Sequence, residues 1–98
     1  MNEGGYMAIQ VKERLVFGNL NVLLFTVDGE YDGDNIIAID NEGNKLWGIN
    51  DILKIKRPCG FSAVKKTECG TLIVISMADV LYEINVEEKS ILRKEYLH

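Results

Sequence analysis

Residues Asn35–Ile49 read NIIAIDNEGNKLWGI and decide the fold. A β-branched run is followed by a polar turn, with a glycine that can adopt positive φ, and then by a second apolar run, which is typical of a β-hairpin. The segment Val80–Lys94, VLYEINVEEKSILRK, repeats this pattern. Two aligned pairs, both offset by 45 residues, anchor the repeat: Asp40 with Asn85, and Trp47 with Leu92. The chain therefore contains two related β units.

Each half of the chain, about 7–50 and 61–97, reads strand, strand, strand, turn, strand. That is the content of a propeller blade, and the repeated hairpin resembles the blades of quinoprotein-like propellers. Two blades cannot close a ring that needs at least about four. We therefore expect a single domain over residues 1–98, in which two small antiparallel sheets pack together or one sheet curls on itself.

Apolar runs of strand length lie along the whole chain. The predicted strands are Met7–Phe17, Asn21–Val27, Asn35–Asp40, Lys45–Ile49, Phe61–Thr67, Thr71–Met77, Val80–Val86 and Ile91–Leu97. Asn21–Val27 and Thr71–Met77 are apolar on both faces, as covered strands are. Val80–Val86 alternates instead, so that Val80, Tyr82, Ile84 and Val86 share one face.

Helical patterns are scarce in this sequence. The best candidate is Asn50–Lys56, where Asn50 or Asp51 can cap a single turn that ends before Pro58. The expected fold is therefore all-β, built from antiparallel strands of two blade-like repeats as a small sandwich or curled sheet, with at most one short helical turn.

The acidic charge is concentrated in one stretch. The net charge is −4, yet outside residues 28–42 eleven basic residues face nine acidic ones. Within the stretch there is no lysine or arginine and there are six carboxylates: Asp28, Glu30, Asp32, Asp34, Asp40 and Glu42. Local negative potential attracts basic partners and repels phosphates, so we expect no nucleic-acid partner for this face.

Composition also indicates a location. Apolar residues make up 47% of the chain, but no run approaches the roughly 20 that a membrane helix needs. The first residues lack a basic region followed by an apolar core, so we expect a cytoplasmic protein without a membrane partner. Cys59 and Cys69 match no zinc spacing and are expected to be free thiols, with a disulfide across a hairpin as the alternative.

Familiar catalytic patterns are absent from the sequence. The only histidine, His98, is the last residue, so neither a Ser-His-Asp triad nor a histidine metal site is expected. The glycines Gly4, Gly5, Gly29 and Gly33 lack the spacing of a phosphate-binding loop. We therefore expect no enzymatic activity and no cofactor.

The segment Asp28–Asp34, DGEYDGD, has the most chemical character. Carboxylates at alternate positions and a glycine at the sixth position are typical of a calcium loop. The ninth and twelfth positions, however, are Ile36 and Ile39, where a closing carboxylate would be needed. A solvated hairpin loop, a docking surface for a basic partner and a calcium site stay open. Paired-carboxylate hydrolysis is a further alternative, although any strand-rich protein offers such pairs.

Two aromatic residues are candidates for interface anchors, because tryptophan and tyrosine are enriched among interface hot spots. Trp47 has a second interpretation, packing into the core of a hairpin. Tyr31 lies among carboxylates, where burial is difficult, and is the better anchor candidate. The basic residues Lys54, Lys56, Arg57, Lys65 and Lys66 are expected to form a solvated surface, since no aromatic platform lies among them.

Residues Asn35–Ile49, preceded by a Val-Leu-Leu-Phe strand in a chain of 98 residues, resemble small bacterial immunity proteins of polymorphic and contact-dependent-inhibition toxin systems. The resemblance implies a non-catalytic protein that binds the C-terminal domain of a cognate toxin, often a nuclease, and blocks its active site. An acidic loop would complement the basic cleft of a nuclease. The expected partner-binding residues are Asp28, Glu30, Tyr31, Asp32, Asp34, Glu42 and Trp47.

A second hypothesis is a blade-like module that assembles with copies of itself, because exposed strand edges can pair between chains. A monomer is expected over a homo-oligomer, and a closed ring of copies would instead favour assembly. A third hypothesis, an enzyme with unfamiliar chemistry, would require a deep pocket lined by convergent polar groups.

Overall fold

Strands dominate the computed structural model, which describes residues 10–26, 34–56 and 59–97. Sheet A consists, in this order, of β1 (Val11–Phe17), β2 (Leu20–Phe25), β3 (Ile36–Ile39) and β4 (Lys45–Gly48). The short helix α1 (Ile49–Leu53) follows. Sheet B consists, in this order, of β5 (Phe61–Lys66), β6 (Leu72–Ser76), β7 (Val80–Asn85) and β8 (Ser90–Tyr96). All pairings are antiparallel, so the predicted all-β fold with one short helical turn is confirmed.

Each sheet turns one face toward a shared hydrophobic core, because successive side chains of a strand point to opposite faces. On β7 the core face is the predicted one, with Val80, Tyr82 and Ile84 buried. The helix contributes Ile49, Ile52 and Leu53 to the same core. The predicted strand residues at positions 7–9 and 27 lie outside the described ranges.

The two sheets are structural repeats of each other. In both, a β-bulge interrupts the pairing of the first two strands, and the extra residues are Lys12 in β1 and Ser62 in β5. In both, a second bulge interrupts the pairing of the last two strands, and the extra residues are Leu46 in β4 and Leu92 in β8. Irregularities that recur at matching positions identify one unit built twice.

The structure corrects the sequence alignment in the last strand of each repeat. Leu46 is equivalent to Leu92, whereas the sequence had paired Trp47 with Leu92 at an offset of 45. The cause is the turn, because six residues separate the paired Ile84 and Ile91, whereas five separate the equivalent pair Ile39 and Lys45.

The repeats bury opposite faces. In β3, Ile36 is fully buried in the core, but its equivalent in β7, Leu81, is half-buried on the far side of sheet B. Conversely, Tyr82 faces the core, and its equivalent Ile37 is half-buried on the far side of sheet A. The two sheets therefore stack head to tail, as successive units of repeat proteins do, and not as mirror-like halves about a two-fold axis.

A buried amide joins the two sheets. Asn35 is 0% exposed, and its Oδ1 accepts a hydrogen bond of 2.8 Å from the Phe61 N–H. Its Nδ2 donates to the carbonyl of Phe61 at 2.9 Å and to that of Phe25 at 2.8 Å. The start of β5 is thereby bonded to the residue that precedes β3.

The spacing between the sheets is uneven. Strand β5 approaches β1 and β2 directly, whereas α1 contacts β3 and β4 on one side and β8 on the other. The sheets therefore converge near β1 and β5, and the helix holds them apart near β8.

Candidate partner-binding surface

The acidic loop connects β2 to β3, and the residues on its two sides are joined by hydrogen bonds, which form the base of the loop. The Phe25 N–H donates to the carbonyl of Asn35 at 2.9 Å, and the Asn35 side chain returns a bond to the Phe25 carbonyl. The Thr26 N–H donates to the carbonyl of Gln10 at 2.9 Å. Four predicted site residues, Asp28, Glu30, Tyr31 and Asp32, follow this base in the chain and lie outside the described residues.

Asp34, at the far end of the loop, has a structural contact. Its Oδ1 accepts a hydrogen bond of 3.0 Å from the N–H of Asn50 in the first turn of α1. The N-cap residue of this helix is Gly48, which has no side chain to offer. The Asp51 carboxylate accepts a bond of 2.8 Å from the Gly48 N–H. Two carboxylates thus satisfy N–H groups that a helix start leaves unpaired.

Glu42 lies at the other end of β3 from the acidic loop. Four strand residues separate the two ends, which is roughly 13 Å. Glu42 is exposed in its turn, whereas the Asp40 Oδ1 accepts bonds from the Asn44 N–H at 2.8 Å and from the Glu42 N–H at 2.9 Å. These bonds, those from Asn44 above all, hold the pKa of Asp40 below its ordinary value. Asp34 and Glu42, the two predicted acidic site residues that the structure describes, therefore lie at opposite ends of β3.

Trp47 belongs to the core. It pairs with Ala38 on the face of sheet A that meets sheet B, and it is 4% exposed. The core interpretation of Trp47 is confirmed. Its assignment to the partner-binding residues is corrected, because a ring covered on the core side cannot serve as an exposed anchor.

The two cysteines and the predicted basic residues that the structure describes are exposed. Cys59 and Cys69 are unpaired, as predicted, and both are exposed. The Lys66 Nζ donates to the carbonyl of Val16 at 2.7 Å and lies 5.0 Å from the centroid of the Phe17 ring. Lys66 therefore links β5 to β1, while Lys54, Lys56 and Lys65 are exposed and Arg57 lies outside the described residues.

A cleft of about 420 Å³ opens between the β1–β2 turn and the turns of sheet B. Its titratable side chains are Lys66, Cys69 and Glu87, and the Lys66 ammonium is already bonded to a carbonyl. Within the described ranges, no group of three or more His, Cys, Asp or Glu side chains is placed to hold a metal ion. No helix in that part of the chain has the length and apolarity needed to cross a bilayer.

Two further surfaces were not identified from the sequence. Outer face A is the side of sheet A away from the core, and its middle strands carry half-buried Leu23, Phe25, Ile37 and Ile39. Outer face B is the corresponding side of sheet B, where a groove of about 410 Å³ is lined mainly by Ala63, Ile73, Ile75 and Leu81. The signal was the apolar character of both faces of Asn21–Val27 and Thr71–Met77, which the sequence analysis explained as burial within the domain.

Charged side chains border outer face B. Glu83 accepts a hydrogen bond of 2.7 Å from the Thr71 hydroxyl and one of 3.2 Å from Arg93. These bonds, with Thr71 first, lower the pKa of Glu83 below its ordinary value. Arg93 also pairs with Glu95 at 2.6 Å. Outer face B therefore combines an apolar groove with an ion pair that links β7 to β8, and protein interfaces contain both kinds of surface.

No curated protein and no solved structure matches the chain significantly. A family match extends over residues 6–96, which includes both sheets. The chain therefore belongs to the family described as Domain of unknown function (DUF7957).

Proposed function

We propose that this protein is a non-catalytic binding protein that neutralises a cognate bacterial toxin domain, with the loop at residues 28–33 as the part that meets the toxin. The observation that carries the proposal is the hydrogen-bonded base of that loop. Between its two sides the chain holds three carboxylates and one tyrosine: Asp28, Glu30, Asp32 and Tyr31.

Electrostatics supply the reason for a basic partner. No lysine or arginine occurs between residues 28 and 42, so nothing in the loop neutralises its carboxylates. A nuclease-type toxin holds phosphates in a basic cleft, and complementary potential accelerates encounter with such a cleft. The aromatic ring of Tyr31 adds an anchor of the kind that hot spots use. The resemblance of Asn35–Ile49 to immunity proteins supplies the partner class.

Binding without catalysis is also consistent with the surface chemistry of the described residues. The large cleft beside β1 combines an engaged lysine with an exposed cysteine and a glutamate, and the groove on outer face B is mainly apolar. Such surfaces can match a partner in shape and charge.

The test begins with the gene directly upstream: if it encodes a large secreted protein, association kinetics are measured with the purified C-terminal domain of that protein. Replacing the three loop acids by amides (Asp28→Asn, Glu30→Gln, Asp32→Asn) should slow association by at least about tenfold at low ionic strength. The salt dependence of the rate should weaken in parallel. Asp34 is left unchanged, because its carboxylate caps α1 and its loss would confound folding with binding.

The matched control makes the same change of charge at the opposite end of the strands. Glu68, Glu87 and Glu88 are exposed turn residues, and their replacement by glutamine should leave the association rate close to that of the wild type. When each protein is co-expressed with the toxin domain, the wild type and the control variant should rescue growth better than the loop variant does. Equal rates for both triple variants, or no binding by the wild type, would contradict the proposal.

A further inference from the structure

In place of the monomer expected from the sequence, we propose that this chain assembles head to tail with further copies of itself, outer face B of one copy packing on outer face A of the next. The inference is independent of the proposed function, since it uses the flat sides of the sheets and not the loop at residues 28–33.

The internal interface is the template for this contact. The core side of sheet A is equivalent to outer face B, because Ile36 in the first repeat corresponds to Leu81 in the second. The core side of sheet B is likewise equivalent to outer face A, through Tyr82 and Ile37. Each chain therefore exposes the counterparts of the two sheet faces that it packs together internally. A heterologous contact of this kind repeats from copy to copy.

The side chains on the two outer faces suit such a contact. The apolar residues lie on the middle strands: Leu23, Ile37 and Ile39 on sheet A, and Ile73, Ile75 and Leu81 on sheet B. Most charged residues lie on the edge strands, with Arg14 and Lys45 on sheet A and Lys65 and Arg93 on sheet B. Glu83 is on the middle strand β7, where it pairs with Arg93. In a sheet that meets only water on its far side, the residues that point to that side are mostly polar.

Edge-to-edge pairing is the competing route to a second copy, and the edges are poorly suited to it. Each of the four edge strands carries one bulge residue: Lys12 in β1, Leu46 in β4, Ser62 in β5 and Leu92 in β8. Bulges on edge strands hinder the addition of another strand. The flat faces therefore remain as the route to assembly.

The wedge shape of the chain determines how such an assembly grows. Because the two sheets converge near β1 and β5 and α1 spaces them near β8, each chain is narrower on the β1 side, and each added chain turns about an axis on that side. Repeated turning in one sense closes a ring. Such rings contain about four to eight four-stranded sheets and each chain supplies two, so about two to four copies are expected.

The contact between copies differs from the internal interface in three respects. Val80 occupies the position equivalent to Asn35, so no amide is available to bond the next copy as Asn35 bonds Phe61. The core pair Ala38 and Trp47 corresponds to the ion pair Glu83–Arg93 on outer face B, and no helix equivalent to α1 follows β8 within the described residues. We therefore expect assembly to be weaker than the internal packing, reversible and dependent on concentration.

The test is the mass of the full chain in solution, by light scattering and sedimentation, up to millimolar concentration. The expected result is a species several times the chain mass of 11.1 kDa. Ile37→Arg blocks only outer face A and Leu81→Arg blocks only outer face B, so each variant alone should be monomeric. Because each still carries one intact face, an equimolar mixture should form a one-to-one dimer.

Leu46→Arg is the matched control, since Leu46 is a comparably apolar residue that lies in an edge bulge. It should leave the mass unchanged. A wild type that stays monomeric at every concentration overturns the proposal, and this result does not depend on any variant folding. If only one of Ile37→Arg and Leu81→Arg abolishes a dimer, one face pairs with itself in a two-fold contact, and the head-to-tail proposal is overturned. If Leu46→Arg abolishes assembly, the copies pair through their edges, and the proposal is overturned as well.

Discussion

The carboxylate of Asp34 occupies the space where a side chain on Gly48 would begin. A Cβ built on Gly48 would lie 2.6 Å from the Asp34 Oδ2. The other oxygen, Oδ1, accepts the N–H of Asn50 and so performs the capping that Gly48 cannot. The helix start is thus capped by a residue fourteen positions earlier in the chain, and the close approach requires glycine at the N-cap.

Gly48→Ala should therefore destabilise the protein. The backbone of Gly48 is extended, with φ −105° and ψ 159°, so alanine is not strained there, and its lower unfolded-state entropy alone would stabilise by about 0.4–1 kcal/mol. Displacement of the Asp34 carboxylate removes a helix cap, which costs about 1–2 kcal/mol, and that loss outweighs the gain. Urea unfolding should show a lower midpoint with an unchanged slope.

A double-mutant cycle separates the cap from other effects of the added methyl group. In an Asp34→Ala background the carboxylate is gone, so Gly48→Ala should become neutral or stabilising. If Gly48→Ala costs the same in both backgrounds, the relationship between the two residues is not the cause.

Much of the fold could be predicted because the strands follow a local rule. Runs such as Thr71–Met77 and Val80–Val86 are apolar and β-branched, and their observed bounds differ from the predicted ones by a residue or two. The repeat was detectable for the same reason. The error of one position at Trp47/Leu92 arose in a turn, where an added residue leaves no periodic signal.

The candidate site was harder to predict because it depends on which face of each sheet packs into the core and on contacts between residues distant in the chain. The sequence placed Trp47 and Glu42 beside the acidic loop by proximity in the chain, but the pleat buries Trp47 and the length of β3 separates Glu42. The capping contact of Asp34 and the buried amide of Asn35 join residues sixteen and twenty-six positions apart. No local pattern indicates such contacts.

Loss of the Asn35 amide should be among the most damaging single changes. Asn35→Ala removes the partners of the Phe61 N–H, the Phe61 carbonyl and the Phe25 carbonyl. Unsatisfied buried backbone groups cost about 1–3 kcal/mol each, so we expect a loss of about 2–5 kcal/mol after partial relaxation. Chemical unfolding measures this loss. Asn19→Ala, an exposed asparagine in the β1–β2 turn, should change stability by less than about 0.5 kcal/mol.

A second variant, Asn35→Asp, tests the two bonds that the Asn35 Nδ2 donates. Asn35→Asp keeps the size of the side chain and the acceptor for the Phe61 N–H, but it removes the Nδ2 donor and directs oxygen at two carbonyls. It should therefore be no milder than Asn35→Ala. An aspartate variant as stable as the wild type would mean that the two Nδ2 bonds contribute nothing.

Trp47 is the only tryptophan and reports on the core directly. Its buried position predicts blue-shifted fluorescence that iodide quenches poorly in the folded protein and readily after unfolding. Trp47→Ala should cost about 3–5 kcal/mol, as truncation of a buried aromatic does. Strong quenching in the native state, or a cost below about 1 kcal/mol, would place the ring at the surface instead.

Acid should destabilise the protein partly through Asp40. Bonds from Asn44 and Glu42 lower its pKa in the folded state, so its contribution is complete above the pKa of the unfolded chain, about 4, and is lost as pH falls through the lower folded value. Asp40→Asn cannot titrate, so this variant should be less stable than the wild type at pH 7. The difference in the free energy of unfolding, measured in urea, should narrow steadily toward pH 3.

Glu42→Gln is the matched control, because it makes the same charge change in the same turn without removing an acceptor of these bonds. Its free energy of unfolding should stay close to that of the wild type at both ends of the pH range. A constant gap between Asp40→Asn and the wild type at every pH would show that the carboxylate charge of Asp40 does not stabilise the turn.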